Sequence, residues 1–335
     1  GKPVQFAVLG GGSWATALVK MLCENVSQVI WYMRNTDSVS YIRKHGHNPN
    51  YLTDVEFNKD QLILTSDINE AIRGADILIF AIPSAFLESE LGKIKNPFSD
   101  KIIFSAIKGI VPETGLIVGE HFHDHYQIPF ENIGVITGPC HAEEVALERL
   151  SYLTIACDDQ DKARQVADCL QSDYIRTKIS DDIIGTEYAA MLKNIYALAA
   201  GIAHGLGYGD NFQSVLMSNS IRVMDRYIKR VHKMKRNINN SAYLGDLLVT
   251  GYSTFSRNRM FGNMIGKGYT VKSAQMEMNM IAEGSYASKT AYELKSRVKK
   301  KVRSPIIDAV YEILYQKRSA KKIFKHLTDK IDSPL

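Results

Sequence analysis

The sequence predicts an α/β fold in which residues 1–183 form a doubly wound parallel sheet and residues 184–335 form an all-helical domain. Three observations predict it. Short β-branched runs alternate with helical patterns up to about Asp181, which is typical of a parallel sheet covered by helices on both faces. Beyond Asp181, long amphipathic stretches continue without a convincing strand. A glycine-rich segment also joins the first strand directly to the first helix.

The elements follow from apolar runs and their period. Residues 4–9 are an apolar run that ends in glycines, and a helix is predicted over residues 13–25, where apolar side chains recur at helical spacing. A helix over residues 183–205 is predicted to open the second domain. The later strands are short apolar runs at residues 29–33, 62–64, 77–82, 101–105, 133–137, 152–156 and 174–177.

Composition excludes several classes of protein. The chain has 335 residues, of which 45% are hydrophobic and 23% charged, which is typical of a globular protein and not of a disordered one. A formal charge of +5 fits a pocket for an anionic small molecule better than a nucleic-acid-binding surface. No apolar stretch approaches the ~18 residues of a membrane span. Whether the protein forms a homodimer is left open.

The cysteines and the start of the chain predict a cytoplasmic protein. None of the four cysteines lies in a C-x-x-C pair, and no secretory signal precedes the first strand. Thiols of this kind are expected to be reduced. The four residues are Cys23, Cys140, Cys157 and Cys169.

Residues 10–15 carry the strongest single motif. Gly10, Gly12 and Ala15 fit G-x-G-x-x-A between a predicted strand and a predicted helix, which is the context of a dinucleotide-binding, Rossmann-type loop. The first glycine permits a tight turn, the second lets a pyrophosphate approach the backbone, and the helix amides donate to the phosphates. The alternative is a glycine-rich turn with no ligand.

The end of the second strand bears on the choice of nicotinamide coenzyme. Arg34 follows this strand, and no Asp or Glu stands there. An acidic residue at this place accepts hydrogen bonds from the ribose diol of NAD, whereas an arginine accommodates the 2′-phosphate of NADP. The sequence therefore predicts NADP(H) and/or NAD(H) as the cofactor, and the preference between the two stays open. Arg34 could instead be a surface arginine or stack on adenine without discriminating.

The helical half offers candidates for ketone reduction, which needs a proton donor and cationic or amide groups for an anionic substrate. Lys193 and Asn194 interrupt an apolar helix, Asp246 follows a glycine, and Arg257 lies in a cluster of donors. Lys108 follows the fifth strand, at the ligand-binding edge of a doubly wound sheet. Each has a structural alternative. The Lys193 stem could lie along apolar surface, and Asp246 could cap the next helix. Arg257 could be a solvated charge, and Lys108 could be a loop lysine.

Taken together, these segments resemble the bacterial-type NAD(P)-dependent sn-glycerol-3-phosphate dehydrogenases. The matching stretches occur in the order of that family and extend from the first strand to beyond Glu283. They are residues 10–18, 108–109, 137–146, 193–194, 205–211, 244–247, 256–259 and 283–284.

The resemblance implies a reaction and a set of site residues. The reaction is reversible NAD(P)H-dependent reduction of dihydroxyacetone phosphate to sn-glycerol 3-phosphate for glycerophospholipid synthesis, with Lys193 as general acid/base. The implied cofactor residues are Gly10, Gly12, Ser13, Trp14, Arg34, Lys108, Ala142, Arg257, Ile281 and Glu283. The implied substrate residues are Lys108, Gly138, Cys140, Lys193, Asp246, Ser256, Arg257 and Asn258.

The chain departs from the family pattern at three places. Ala15 replaces the third loop glycine, Cys140 stands where a hydroxyl residue is common, and residues 185–188 form a more polar approach to Lys193. None removes a residue that the reaction needs. We expect the site to lie in a cleft between the two domains. The alternatives are a dehydrogenase of the same architecture for a hydroxyacid or hydroxyacyl thioester, and a nucleotide sensor without catalysis.

Two further patterns receive a structural interpretation. His121, His123 and His125 are expected to mark a solvated helix end, because His123 would point away from the other two on a helix and zinc needs three or four converging ligands. Residues 226–236 are expected to form a basic amphipathic helix with a core-facing stripe. Residues 295–303 are a second basic run, expected to be solvated. No metal site and no nucleic-acid partner are predicted.

Overall fold

The computed structural model describes residues 2–253, 256–279, 282–295 and 302–332. The chain forms two compact units, residues 1–186 and 187–335. No helix within the described ranges is both long enough and apolar enough to span a bilayer.

The first unit is built on an eight-stranded sheet with the order β10-β9-β8-β5-β4-β1-β2-β3. Its central part, β3-β2-β1-β4-β5, has the order of a doubly wound nucleotide-binding fold, so the predicted fold class is confirmed. The strands are β1 Phe6–Leu9, β2 Val29–Tyr32, β3 Leu62–Thr65, β4 Ile77–Phe80, β5 Ile102–Ser105, β6 Ile110–Val111, β7 Leu116–Ile117, β8 Ile133–Thr137, β9 Ser151–Cys157 and β10 Ile175–Ser180. Strands β6 and β7 form a separate hairpin that the sequence patterns did not predict.

The large sheet is predominantly parallel, as predicted, and one pairing in it is antiparallel, that of β8 with β9. A parallel neighbour requires a long crossover, usually through a full helix. The connection from β8 to β9 contains only the short helix Ala142–Ala146. The chain therefore reverses direction at this edge of the sheet, and β9 runs antiparallel to β8.

Seven helices of the first unit cover the sheet on both faces. Alternate residues of β1 show why its run is continuously apolar: Phe6 and Val8 enter one core, and Ala7 and Leu9 enter the other. The helices are α1 Ser13–Cys23, α2 Thr36–His45, α3 Ile68–Gly74, α4 Ser84–Leu91, α5 Val118–Tyr126, α6 Ala142–Ala146 and α7 Gln160–Leu170.

Helices are the only regular secondary structure among the described residues of the second unit, as predicted. Its helices are α8 Ile183–Gly205, α9 Asp210–Val231, α10 Asp246–Tyr252, α11 Arg257–Gly266, α12 Val271–Met278, α13 Glu283–Lys295, α14 Pro305–Tyr315 and α15 Ala320–Lys330. A π-helical turn, Ser241–Gly245, immediately precedes α10.

The basic segment 226–236 is helical only in its first half, because α9 ends at Val231. Tyr227 and Ile228 are buried, as the predicted core-facing stripe requires. Two pairs of like charges lie four residues apart, Arg226 with Arg230 and Lys229 with Lys233. Such pairs disfavour further helix. The second basic run, residues 295–303, falls largely outside the described residues.

Candidate active site

The glycine loop has the backbone of a phosphate-binding turn. Gly10 has a φ of +138°, and a Cβ on it would lie 2.3 Å from the Ala81 carbonyl oxygen, so no other residue fits. Gly12 is the N-cap of α1, and a Cβ there would meet no atom within 4 Å. The loop is thus closed beneath Gly10 and open before the amides that begin α1, where an anion would bind.

Two buried side chains hold this loop from behind. Trp31 Nε1 donates to the Gly10 carbonyl at 2.7 Å. Asn48 Nδ2 donates to the Gly11 carbonyl at 3.2 Å and to the Thr16 hydroxyl at 2.9 Å. Sequence reasoning missed both residues, because neither belongs to the motif and nothing in the spacing links them to it.

The first residues of α1 meet a residue from the segment that follows β5. The Lys108 ammonium lies 4.7 Å from the centroid of the Trp14 ring, within cation–π range. Trp14 Nε1 is buried, and no hydrogen-bond partner for it occurs in the described part of the chain. A donor held in this way beside an open glycine loop fits a phosphate-bearing cofactor. Ser13 is the first residue of α1, next to Trp14.

A cavity of about 240 Å³ opens beside the loop at the carboxyl ends of β1, β2 and β4. Gly10, Gly12 and Arg34, all predicted to bind the cofactor, line it together. The Arg34 guanidinium lies 5.6 Å from the Phe86 ring centroid. The cavity also contains Tyr32 and Glu90, which sequence reasoning did not single out.

The segment after β8 carries three of the predicted residues. Gly138 has a φ of +123°, and a Cβ there would lie 2.7 Å from the Tyr152 carbonyl oxygen. Cys140 is buried, and Ala142 is the buried first residue of α6. Because β8 and β5 are parallel, this segment and the Lys108 segment leave the sheet at the same edge.

In the second unit, Lys193 and Asp246 form a buried ion pair. Lys193 Nζ lies 2.5 Å from Asp246 Oδ2, and each side chain is only 3% exposed. Lys193 lies in α8, and Asp246 begins α10 after the π-helical turn, a local geometry that is frequent at functional sites. The carboxylate stabilises the charged ammonium form of Lys193.

Helix α11 carries the other predicted residues of this unit. Ser256 is its N-cap and accepts a hydrogen bond from the Arg259 amide, Arg257 is exposed, and Asn258 Oδ1 accepts one from the Gly284 amide at 2.7 Å. This last bond joins Asn258 to the start of α13, whose first residue is Glu283. Ile281 lies outside the described residues.

Glycines bring α11 close to α8. A Cβ on Gly201 of α8 would lie 2.1 Å from the Arg259 carbonyl oxygen, and one on Gly262 of α11 would lie 2.1 Å from the Leu198 carbonyl oxygen. The two backbones therefore touch, which fixes α11 against the helix that carries Lys193.

The histidine segment departs from its predicted solvated state at His121, whereas His125 is exposed as predicted. His121 and His125 lie one turn apart on α5, with ring centroids 4.9 Å apart. However, His121 is buried, its Nε2 pairs with the Glu88 carboxylate, and its Nδ1 lies 3.1 Å from the Thr114 hydroxyl. Packing of α5 on the sheet buries this ring, and two polar neighbours satisfy it. Among the described residues, no three His, Cys, Asp or Glu are placed to hold a metal ion.

Comparison with known proteins decides the family. Residues 5–163 match the family model described as NAD-dependent glycerol-3-phosphate dehydrogenase N-terminus, and residues 182–325 match that of its C-terminus. The chain belongs to the NAD-dependent glycerol-3-phosphate dehydrogenase family. It is accordingly a nicotinamide-dependent oxidoreductase, and the resemblance found in the sequence is confirmed.

Relatives of this family match the chain over nearly its whole length. The glycerol-3-phosphate dehydrogenase (NAD(P)+) of Macrococcus caseolyticus is 35% identical over 330 residues, 98% of each chain. That of Staphylococcus aureus is 34% identical over 328 residues, 97% of this chain and 98% of the relative. The crystal structure of glycerol-3-phosphate dehydrogenase from Coxiella burnetii has a TM-score of 0.88 at 26% identity, covering 98% of this chain and 99% of that one.

The fold is also found outside the family. A D-mandelate dehydrogenase structure has a TM-score of 0.61 at 17% identity, covering 96% of this chain and 99% of that one. This likeness concerns the fold alone. The fold therefore does not select the substrate, and the site residues must.

Proposed function

We propose that this chain catalyses the reversible NAD(P)H-dependent reduction of dihydroxyacetone phosphate to sn-glycerol 3-phosphate. The observation that carries the proposal is the buried Lys193–Asp246 pair in a chain of this family. The pair would supply a proton donor, and Lys108, Arg257 and Asn258 would supply cationic and amide groups for the substrate.

We assign different roles to the two predicted functional domains, residues 1–183 and residues 184–335. The first would bind the cofactor through the amides after Gly12, with Trp14 and Lys108 beside the phosphates and Arg34 in the adjoining cavity. The open space at Gly12 and the buried Trp14 Nε1 support this assignment. Gly10, Ser13, Ala142, Arg257, Ile281 and Glu283 are proposed to complete the cofactor contacts.

The proton chemistry is assigned to Lys193. The nicotinamide, when bound, supplies the hydride for the carbonyl carbon. Lys193, kept charged by the Asp246 carboxylate, would donate a proton to the carbonyl oxygen as negative charge develops there. Lys108 would polarise the same oxygen. In the reverse direction, neutral Lys193 would accept the hydroxyl proton.

The remaining residues would hold the substrate. Arg257, which is exposed, would contact the phosphate as a charged donor. Asn258 is oriented by its bond to the Gly284 amide and would present its amide nitrogen. Because the phosphate is held in place, the carbonyl carbon is held at a fixed distance from the cofactor. Such positioning contributes a large part of the rate enhancement. Gly138, Cys140, Asp246 and Ser256 are proposed to complete the substrate site.

The test is cofactor oxidation by the purified protein with dihydroxyacetone phosphate, using NADPH and NADH side by side. In Lys193→Ala, we expect kcat to fall by about 10²- to 10⁴-fold, the range of general acid catalysis, while cofactor affinity changes little. Near-wild-type turnover in that variant would overturn the assignment of Lys193. Cofactor binding without turnover would favour a hydroxyacid substrate or a nucleotide sensor.

The cellular role follows from this reaction. We propose that the product serves as the backbone of glycerophospholipids and that the enzyme acts in the cytoplasm as a homodimer. None of the four cysteines, all of which lie in the described part of the chain, forms a disulfide, which supports a reducing compartment. Light scattering of the purified protein tests the dimer, and fluorescence microscopy of a tagged chain tests the location.

A further inference from the structure

A buried carboxylate lines the cofactor cavity, although no acidic residue stands at the end of β2 itself. Residues 33–35 include no Asp or Glu, yet Glu90, from the last turn of α4, lines the same cavity as Arg34. A free carboxylate in this place would accept hydrogen bonds from a ribose diol and repel a 2′-phosphate. The state of Glu90 therefore bears directly on coenzyme selectivity.

Both oxygens of Glu90 are already engaged. Lys93 Nζ lies 2.7 Å from Glu90 Oε1, and the Tyr32 hydroxyl donates to Glu90 Oε2. The Glu90 side chain is 6% exposed, whereas that of Lys93 is 49% exposed. Burial and the bond to Glu90 raise the pKa of Tyr32 well above its ordinary value, so its hydroxyl remains a donor at any working pH. Lys93 balances the charge of Glu90, and Tyr32 occupies its second oxygen.

The other polar groups at the end of β2 favour an anion. The Arg34 guanidinium stands over the Phe86 ring, which restricts the arginine without neutralising it. The Asn35 side-chain oxygen accepts from the Asp37 and Ser38 amides as the N-cap of α2. It is therefore occupied and does not compete for a ribose hydroxyl.

We propose that Lys93 and Tyr32 mask Glu90, so that the charge of Arg34 dominates the cavity and the enzyme selects the 2′-phosphorylated coenzyme, NADP(H). Lys93, Tyr32 and Glu90 are positioning residues in this scheme, and Arg34 makes the contact. The inference rests on the proposed function, in that the cavity must bind a nicotinamide dinucleotide.

The test measures dissociation constants of NADPH and NADH by ligand fluorescence, without substrate. The wild type should bind NADPH more tightly than NADH. In Lys93→Gln, the unbalanced Glu90 would repel the 2′-phosphate, and we expect the ratio of the two constants to shift toward NADH by about tenfold. Lys93→Arg keeps the charge and should keep the wild-type ratio.

A double variant separates charge masking from structural damage. Lys93→Gln combined with Glu90→Gln removes both charges and should restore the ratio seen in the wild type. The inference is overturned if the wild type prefers NADH, if Lys93→Gln weakens both coenzymes equally or neither, or if the double variant fails to restore selectivity. Failure of the folded wild type to bind either coenzyme would instead overturn the proposed function, and the inference with it.

Discussion

At the scale of single residues, the Lys193–Asp246 pair combines a chemical role with a structural risk. Both side chains are almost completely buried, and a charge that loses its partner in such a place is strongly destabilising. A substitution that breaks the pair is therefore expected to affect both the proposed proton donor and the stability of the unit that contains it.

We expect Asp246→Ala to lower the free energy of unfolding by about 3–5 kcal/mol, because it removes the carboxylate that pairs with the buried Lys193 ammonium. Urea denaturation followed by circular dichroism measures the change. Asp225→Ala is the matched control, since its partner Lys229 is 57% exposed, and exposed pairs contribute about 0–1 kcal/mol. Equal losses in the two variants would contradict the prediction.

The cysteines provide a pH-dependent prediction. Burial, reinforced by the negative charge of Glu24, raises the pKa of Cys23 to about 12. A raised pKa keeps the thiol protonated, so at pH 8 only about one molecule in 10⁴ carries the reactive thiolate. Iodoacetamide labelling of Cys23, followed by peptide mass spectrometry, should accelerate about tenfold per pH unit from 8 to 10. A rate that levels off near pH 9, or that equals the rate in unfolded chain, would be inconsistent with this pKa.

At the scale of elements, glycines set the contact between α8 and α11. Gly201 and Gly205 on α8 lie against the backbone of α11, and Gly262 and Gly266 on α11 lie against that of α8, with the members of each pair four residues apart. Small residues at this spacing let two helices approach until their backbones touch. The position of α11, and with it Arg257, depends on this contact.

Gly262→Ala should therefore both destabilise the protein and weaken substrate binding. Its Cβ would meet the Leu198 carbonyl oxygen, a backbone atom that cannot move aside without moving the helix, and overpacking of this kind costs about 1–3 kcal/mol. Displacement of α11 should raise KM for dihydroxyacetone phosphate more than it lowers kcat. Gly92→Ala is the control, because its nearest contacts lie at 3.4 Å or beyond, and thermal unfolding with steady-state kinetics compares the two. Wild-type stability and KM in Gly262→Ala would contradict the proposed contact.

At the scale of the whole molecule, charge is distributed very unevenly along the chain. Residues 1–186 contain 16 Lys and Arg against 25 Asp and Glu, whereas residues 187–335 contain 25 against 11. The formal charges of −9 and +14 add to the +5 of the chain. The strongly basic part contains Arg257 and Asn258, the residues proposed to hold the substrate phosphate, so its field should attract an anionic substrate.

This asymmetry predicts a salt-dependent reaction. Raising ionic strength from about 0.02 to 0.3 M shortens the screening length severalfold, and kcat/KM for dihydroxyacetone phosphate should fall by about three- to tenfold. The kcat at saturating substrate should change much less, because attraction to the site no longer limits the rate. A kcat/KM that is independent of salt would contradict the steering effect.

Much of the fold could be predicted because its determinants are local. The alternation of short apolar runs with helical patterns sets the doubly wound sheet, and the loss of strands after Asp181 sets the helical part. Gly10 was identifiable because its backbone conformation and its close approach to Ala81 exclude a side chain. The motifs also identified the family, since they occur in a fixed order along the chain.

Tertiary structure decided which groups satisfy one another. Asp246 reaches Lys193 across 53 residues of sequence, Asn48 supports a loop 37 residues away, and Lys93 and Tyr32 contact the two carboxylate oxygens of Glu90. The burial of His121 and the antiparallel β9 likewise depend on which surfaces pack together. Periodicity and spacing specify the backbone of each element and the face that it buries. Partners of polar side chains are set by distances between elements, which exist only once the chain has folded.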